Sequence, residues 1–129
     1  MPNRPDDSNQ SIHDQLKEIN QRSGFTATVL TDGDGLPLVT ASQAEGDLAE
    51  MLAAVAPLVQ RMVQRSNERA GLSEANEVVI NNADRSRLIC RFFVARQQML
   101  ILACLVPEGV PYRRAMNLTI STVQKIWTD

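Results

Sequence analysis

The stretch Leu-Thr-Asp-Gly-Asp-Gly-Leu-Pro-Leu-Val-Thr at residues 30–40 sets two Asp-Gly pairs back to back and follows them with a proline. Carboxylates beside glycines suit three kinds of chemistry: a metal loop, a phosphate cradle, or a tight turn between strands. A calcium loop of the EF-hand kind needs oxygen ligands at alternate positions, glycine at the sixth and a bidentate glutamate at the twelfth. Counted from Asp32, the third position is Asp34, but the fifth is Leu36, the sixth Pro37 and the twelfth Gln43. A phosphate cradle needs its glycines to run into a helix, whose first amides hold the phosphate. Gly33 and Gly35 run instead into a strand-like segment, with no lysine or serine at the required place. The turn remains, with glycine supplying positive φ and aspartate accepting local hydrogen bonds.

The other reactive side chains form no set. His13 is the single histidine, lies in a helical segment and reads as a solvated surface residue. It has no matched nucleophile motif, so a Ser-His-Asp arrangement is not indicated. Asp32 with Asp34, or Glu45 with Asp47, can be paired on paper, but solvated loop charges are the commoner case. Arg113 and Arg114 suit an anion or, more often, a partner surface, because arginines in a first turn oppose the helix dipole. Cys90 and Cys104 have neither redox-pair nor zinc spacing and read as buried free thiols. The sequon at Asn117, Leu118 and Thr119 falls in a helical segment and reads as chance. No catalytic residue, cofactor site or metal site is expected, and the chain does not read as an enzyme.

Composition narrows the partners. The 129 residues are 43% hydrophobic, near the globular average, so one packed domain is expected. A net charge of −2 supplies no basic field for nucleic acid, and one Trp, one Tyr and three Phe supply few stacking platforms. No apolar run approaches the ~20 residues that span a bilayer. The polar N-terminus lacks the apolar core of a signal peptide, so a cytoplasmic protein without direct membrane insertion is expected.

The elements that position these residues follow from periodicity. Residues 1–10 are polar and proline-bearing and read as a flexible tail, leaving residues 11–129 as the domain. Ile12, Leu16 and Ile19 mark a one-faced helix starting at Ser8 or Ser11, with Gly24 as its C-terminal cap. Residues 25–31 and 36–41 read as two strands around the turn. Leu48, Met51, Leu52, Val55, Leu58, Val59, Met62 and Val63 keep helical spacing in a long helix, with Asp47 as cap and Gly71 as stop. Pro57 inside it removes a hydrogen bond, so a kink or a division into two helices is expected. Residues 76–81, 86–95 and 98–106 read as a three-strand meander, the last strand apolar on both faces. Pro111 opens a closing helix striped by Met116, Ile120, Val123 and Trp127. The order α-β-β-α-β-β-β-α implies a five-stranded antiparallel sheet in a three-layer α/β/α sandwich.

With this order and residues 24–41 in view, the chain resembles the roadblock/dynein light chain family over about residues 11–127. The likeness is carried by a hairpin turn of the form D-x-D-G-L-P, here Asp32, Asp34, Gly35, Leu36 and Pro37, followed by Leu38. It implies a profilin-like fold and a cytoplasmic homodimer that regulates a small Ras-like GTPase without a cofactor, or alternatively a structural adaptor in a larger assembly. It further implies that the third strand pairs with its twin while the second helices pack side by side and take part in GTPase binding. No arginine is assignable as a catalytic finger, and Pro57 departs from the family's long helix.

The residues suit that arrangement. Val78, Val79 and Ile80 leave the short third strand with few polar side chains to guard an edge. Ala49, Ala53 and Ala56 on the long helix allow close approach of a partner helix. Arg61, Arg65 and Arg69 lie at i, i+4 and i+8, in place to meet acidic surface on a partner.

Overall fold

The computed structural model describes residues 5–42, 48–70 and 76–127; within the helices, the side chains at 5–9, 48, 49, 51, 53 and 66–70 are outside the described set. The elements follow as α1 (Pro5–Ser23), β1 (Ala27–Asp32), β2 (Pro37–Ser42), α2 (Leu48–Ala70), β3 (Glu77–Asn81), β4 (Arg87–Ala95), β5 (Gln98–Val106) and α3 (Arg113–Ile126). This is the order read from the sequence. The first helix starts earlier than expected, at Pro5 rather than Ser8 or Ser11. Proline suits a first helical position, where its missing N–H costs nothing, so the helix runs upstream of the apolar stripe that revealed it. Gly24 ends α1 as expected, with φ +78° and its N–H donating to the Asn20 carbonyl at 3.0 Å. The expected boundary residues Asp47 and Gly71 lie outside the described residues.

All strand pairs are antiparallel, in the order β2-β1-β5-β4-β3. Arg96 and Gln97 join β4 to β5 with φ of 49° and 66°, a two-residue turn whose twist matches the strands. β5 sits in the middle of the sheet and is apolar on both sides, so both sides must be covered. Leu100, Leu102, Cys104 and Val106 face α1 and α3, packing with Ile12, Leu16, Met116 and Val123. Ile101 and Ala103 face α2, packing with Leu52 and Val59. Full burial of each large aliphatic side chain contributes about 1.5–3 kcal/mol, which makes β5 the anchor of three layers.

One buried polar contact ties α1 to the β1–β2 edge. Asn20, 1% exposed, donates from Nδ2 to the Ala41 carbonyl at 3.1 Å and accepts from the Thr28 hydroxyl at 2.5 Å. Cys90 and Cys104 are free and buried, as read from the sequence. They lie on neighbouring strands but on opposite faces of the sheet.

α2 packs against β1, β5 and β2. Pro57 lies inside it, and the helix is continuous from Leu48 to Ala70 rather than divided in two. The proline has a seat. Gly35, buried at φ +87°, lies so close that a β-carbon built on it would stand 2.7 Å from Cβ, Cγ and Cδ of Pro57. Glycine is therefore required twice at position 35, for its backbone conformation and for the approach of the helix.

Two outcomes are expected. Gly35→Ala destabilises the fold by about 2–5 kcal/mol, from about 1–2 for the left-handed backbone and about 1–3 for overpacking. In a Pro57→Gly background the second component vanishes; urea unfolding of all four proteins in the cycle reads this, and additive costs would contradict the contact. Burial pushes both thiols up from 9.0 to about 12. The native state thus holds protons that the unfolded state releases. The thiols' contribution is complete below pH 9.0 and is lost as pH rises toward 12, by about 1.4 kcal/mol per pH unit per thiol. Unfolding free energy from about pH 8 to about pH 11 should fall less steeply in Cys104→Ala than in the parent chain, and equal slopes would contradict the assignment.

Candidate interaction surface

α2 carries two apolar stripes. Leu52, Ala56 and Val59 point inward and are buried. Leu58 and Met62, one turn apart, point outward and are 54% and 66% exposed, with Ala54 exposed on the preceding turn. Ala56, expected at a partner helix, is fully buried within its own chain. It sits four residues after Leu52 and three before Val59, on the inner stripe, so it belongs to the core. The side chains of Ala49 and Ala53 lie outside the described residues. Arg61 and Arg65 are exposed on one face, and Arg61 Nε donates to the Pro57 carbonyl at 3.3 Å. Arg69 lies on α2, with its side chain outside the described residues.

β3 is a sheet edge, paired with β4 alone among the described residues. Val79 and Ile80 are 38% and 37% exposed, and Val78 is half-buried. The registers place Val78 beside Cys90 and Ile80 beside Leu88, on the α2 side of the sheet. α2 lies over the other end of the sheet, and between its first half and the β3–β4 turn an open cleft of ≈ 490 Å³ remains. Leu52, Val55, Leu88 and Leu105 form its apolar lining, and Asp84 and Ser86 its polar rim. The Asp84 carboxylate accepts from the Ser86 amide at 2.9 Å and hydroxyl at 2.6 Å, which lowers its pKa and holds the turn. Val94 and Met99, paired across β4 and β5, add exposed apolar surface on the same side.

The remaining candidates from the sequence resolve into structural parts. Asp32 accepts at one carboxylate oxygen from the amides of Asp34 and Leu36, both at 2.9 Å, so it shapes the turn as expected. Asp34 is exposed, and Glu45 and Asp47 lie outside the described residues. His13 is partly exposed beside Asp14. The Arg113 guanidinium lies 5.9 Å from the Tyr112 ring centre, and Arg87 lies 5.3 Å from it. Among the described residues no three His, Cys, Asp or Glu side chains are grouped to hold a metal ion, and no helix is long and apolar enough to cross a membrane. Sequence reasoning missed the outward turn of Leu58 and Met62, which it placed in one periodic row with Leu52 and Val59. The signal was present: that row is too wide for one helix face.

No protein-family model and no curated protein matches the chain. Solved structures do. MglB of Myxococcus xanthus shares 13% identity at a TM-score of 0.64, over 91% of this chain and 84% of its own. The gliding protein MglB of Thermus thermophilus shares 16% at 0.67, over 92% and 87%. A Roadblock/LC7 domain from Streptomyces avermitilis shares 19% at 0.68, over 88% and 91%. At such identities the shared property is the fold, and this chain has the roadblock/LC7 fold.

Proposed function

We propose that the chain is a homodimeric, non-enzymatic regulator that binds a small Ras-like GTPase over the outer stripe of α2 and biases its nucleotide cycle. The carrying observation is Leu58 and Met62, two large apolar side chains set outward beside Arg61 and Arg65, on the one helix that the described residues place over that face of the sheet. Apolar anchors inside a charged rim are the composition of a protein-binding surface. The resemblance of the hairpin residues to the roadblock family and the likeness to MglB support the GTPase as partner. In this reading the chain brings no catalytic group of its own; it acts by preferring one state of the GTPase, because only a difference in affinity between states shifts an equilibrium. Pairing along β3 supplies the dimer.

The test is titration of the chain with a Ras-like GTPase from the same genome, in its GDP and GTP-analogue forms. One form should bind at least tenfold tighter, a difference of about 1.4 kcal/mol. Leu58→Asp with Met62→Asp should weaken that complex by tenfold or more while the dimer mass is retained. Equal affinity for both forms would overturn the regulatory role, and unchanged hydrolysis in the presence of a bound chain would leave an adaptor.

A further inference from the structure

Arg113 and Arg114, adjacent in sequence, part in the fold. Arg114 lines the groove between α1 and α3, beside Arg22 and Leu118. Arg113 instead lines an open depression of ≈ 220 Å³ with Asn76, Glu77, Arg91 and Asn117. Arg91 alternates along β4 with Ile89 and Phe93, which pack with α1 and α3. The depression therefore lies on the side of the sheet opposite α2, away from Leu58 and Met62.

Its donors are held in place before any ligand arrives. Arg91 Nη1 donates to Asn117 Oδ1, which leaves Asn117 Nδ2 as a further donor. Asn117 stands one turn after Arg113, on the same face of α3. The Arg113 guanidinium is stacked on the Tyr112 ring, 5.9 Å from its centre. The Phe92 amide donates to the Asn76 carbonyl at 2.9 Å and fixes Asn76 at the head of β3. Glu77 stands opposite Arg91 in the ladder. Among the described residues neither guanidinium closes an ion pair, whereas Arg22 meets Glu18 and Arg85 meets Glu108, both at 3.1 Å. The first turn of α3 has no acidic residue and no side-chain cap, so its amides add to the positive field.

We propose that this depression binds a small 2-hydroxy carboxylic acid, its carboxylate between Arg91 and Arg113 and its hydroxyl donating to Glu77. Guanidinium forks match a planar carboxylate in geometry. Charge selects the class further. Two guanidiniums and the Glu77 carboxylate leave one positive charge, which a single carboxylate balances. A phosphoryl group, at about −1.5 to −2 near neutral pH, would overshoot and press against Glu77. Size points the same way, because the depression is smaller than the about 300–1,000 Å³ of sites for drug-sized ligands. One chain supplies every group, so the site stands independently of the GTPase and dimer readings.

Titrations of the full chain at constant ionic strength, followed by the NMR signals of the arginine Nε–H and asparagine side-chain amides, test the site. The probes are lactate, propionate, inorganic phosphate and N-acetyl-aspartate amide. Lactate should shift the Arg91, Arg113 and Asn117 signals saturably and bind at least tenfold tighter than propionate, which lacks the hydroxyl. Glu77→Ala should bring lactate and propionate to equal affinity. Arg91→Gln and Arg113→Gln should each weaken lactate at least tenfold, whereas Arg114→Gln, one position away, should leave it unchanged. Equal binding of the two acids by the parent chain would overturn the role of Glu77. Tighter binding of phosphate would overturn the carboxylate, and tighter binding of the blocked aspartate would replace the free acid by a protein side chain. No saturable shift with any probe would overturn the site itself.

Discussion

A single helix cannot roof a five-stranded sheet, and the rest of the molecule follows from that mismatch. Strands stand about 4.8 Å apart, so the outer pair is separated by about 19 Å, whereas one helix with its side chains is about 10–12 Å wide. α1 and α3 together cover one face, and the cluster around Leu100, Leu102 and Val106 is buried beneath them. On the other face α2 is the one helix among the described residues. It buries β1 and β5 and leaves the β4–β3 side partly open, with Val78, Ile80, Val94 and the cleft by Leu88 as the consequence. Apolar surface left exposed beside an unpaired strand edge is the condition under which chains associate.

Where that deficit falls is set by the β1–β2 loop. Asp32 folds the loop by accepting from two amides, and the folded loop presents Gly35 to the middle of α2. Pro57 then packs where any β-carbon would collide. The contact holds the helix over β1, away from β3. The Asp-Gly pairs thus perform no ligand chemistry, yet they help determine which part of the sheet is left bare. Because Leu58 follows Pro57 directly, and Met62 one turn later, the same contact fixes the azimuth at which the outward stripe meets solvent.

Much of this is legible in the sequence because it depends on local periodicity. The alternation in residues 86–95 separates Leu88, Cys90 and Phe92 from Ile89 and Phe93, as the two core clusters do. The double-sided apolarity of residues 98–106 calls for helices on both faces. What escapes depends on contacts distant in sequence. Pro57 reads as a kink or a division because helix propensity is local, and the undivided helix depends on its partner Gly35, 22 positions earlier. Ala56 reads as surface because alanine suits either side of a helix, and only the placement of Leu52 and Val59 against β1 and β5 assigns it inward. Asn20 carries no signal among its polar neighbours, although it falls one turn after Leu16 on the buried face and is the polar tie to Ala41 and Thr28. The start of α1 is unmarked because its polar first turns carry no apolar periodicity.

The central claim is that the fold's bare edge is completed by a second copy of the chain. Sedimentation equilibrium of the unmodified protein across micromolar concentrations tests it most directly. The account predicts a mass of twice 14.3 kDa, independent of concentration down to the low micromolar range. A mass of 14.3 kDa throughout that range would contradict it.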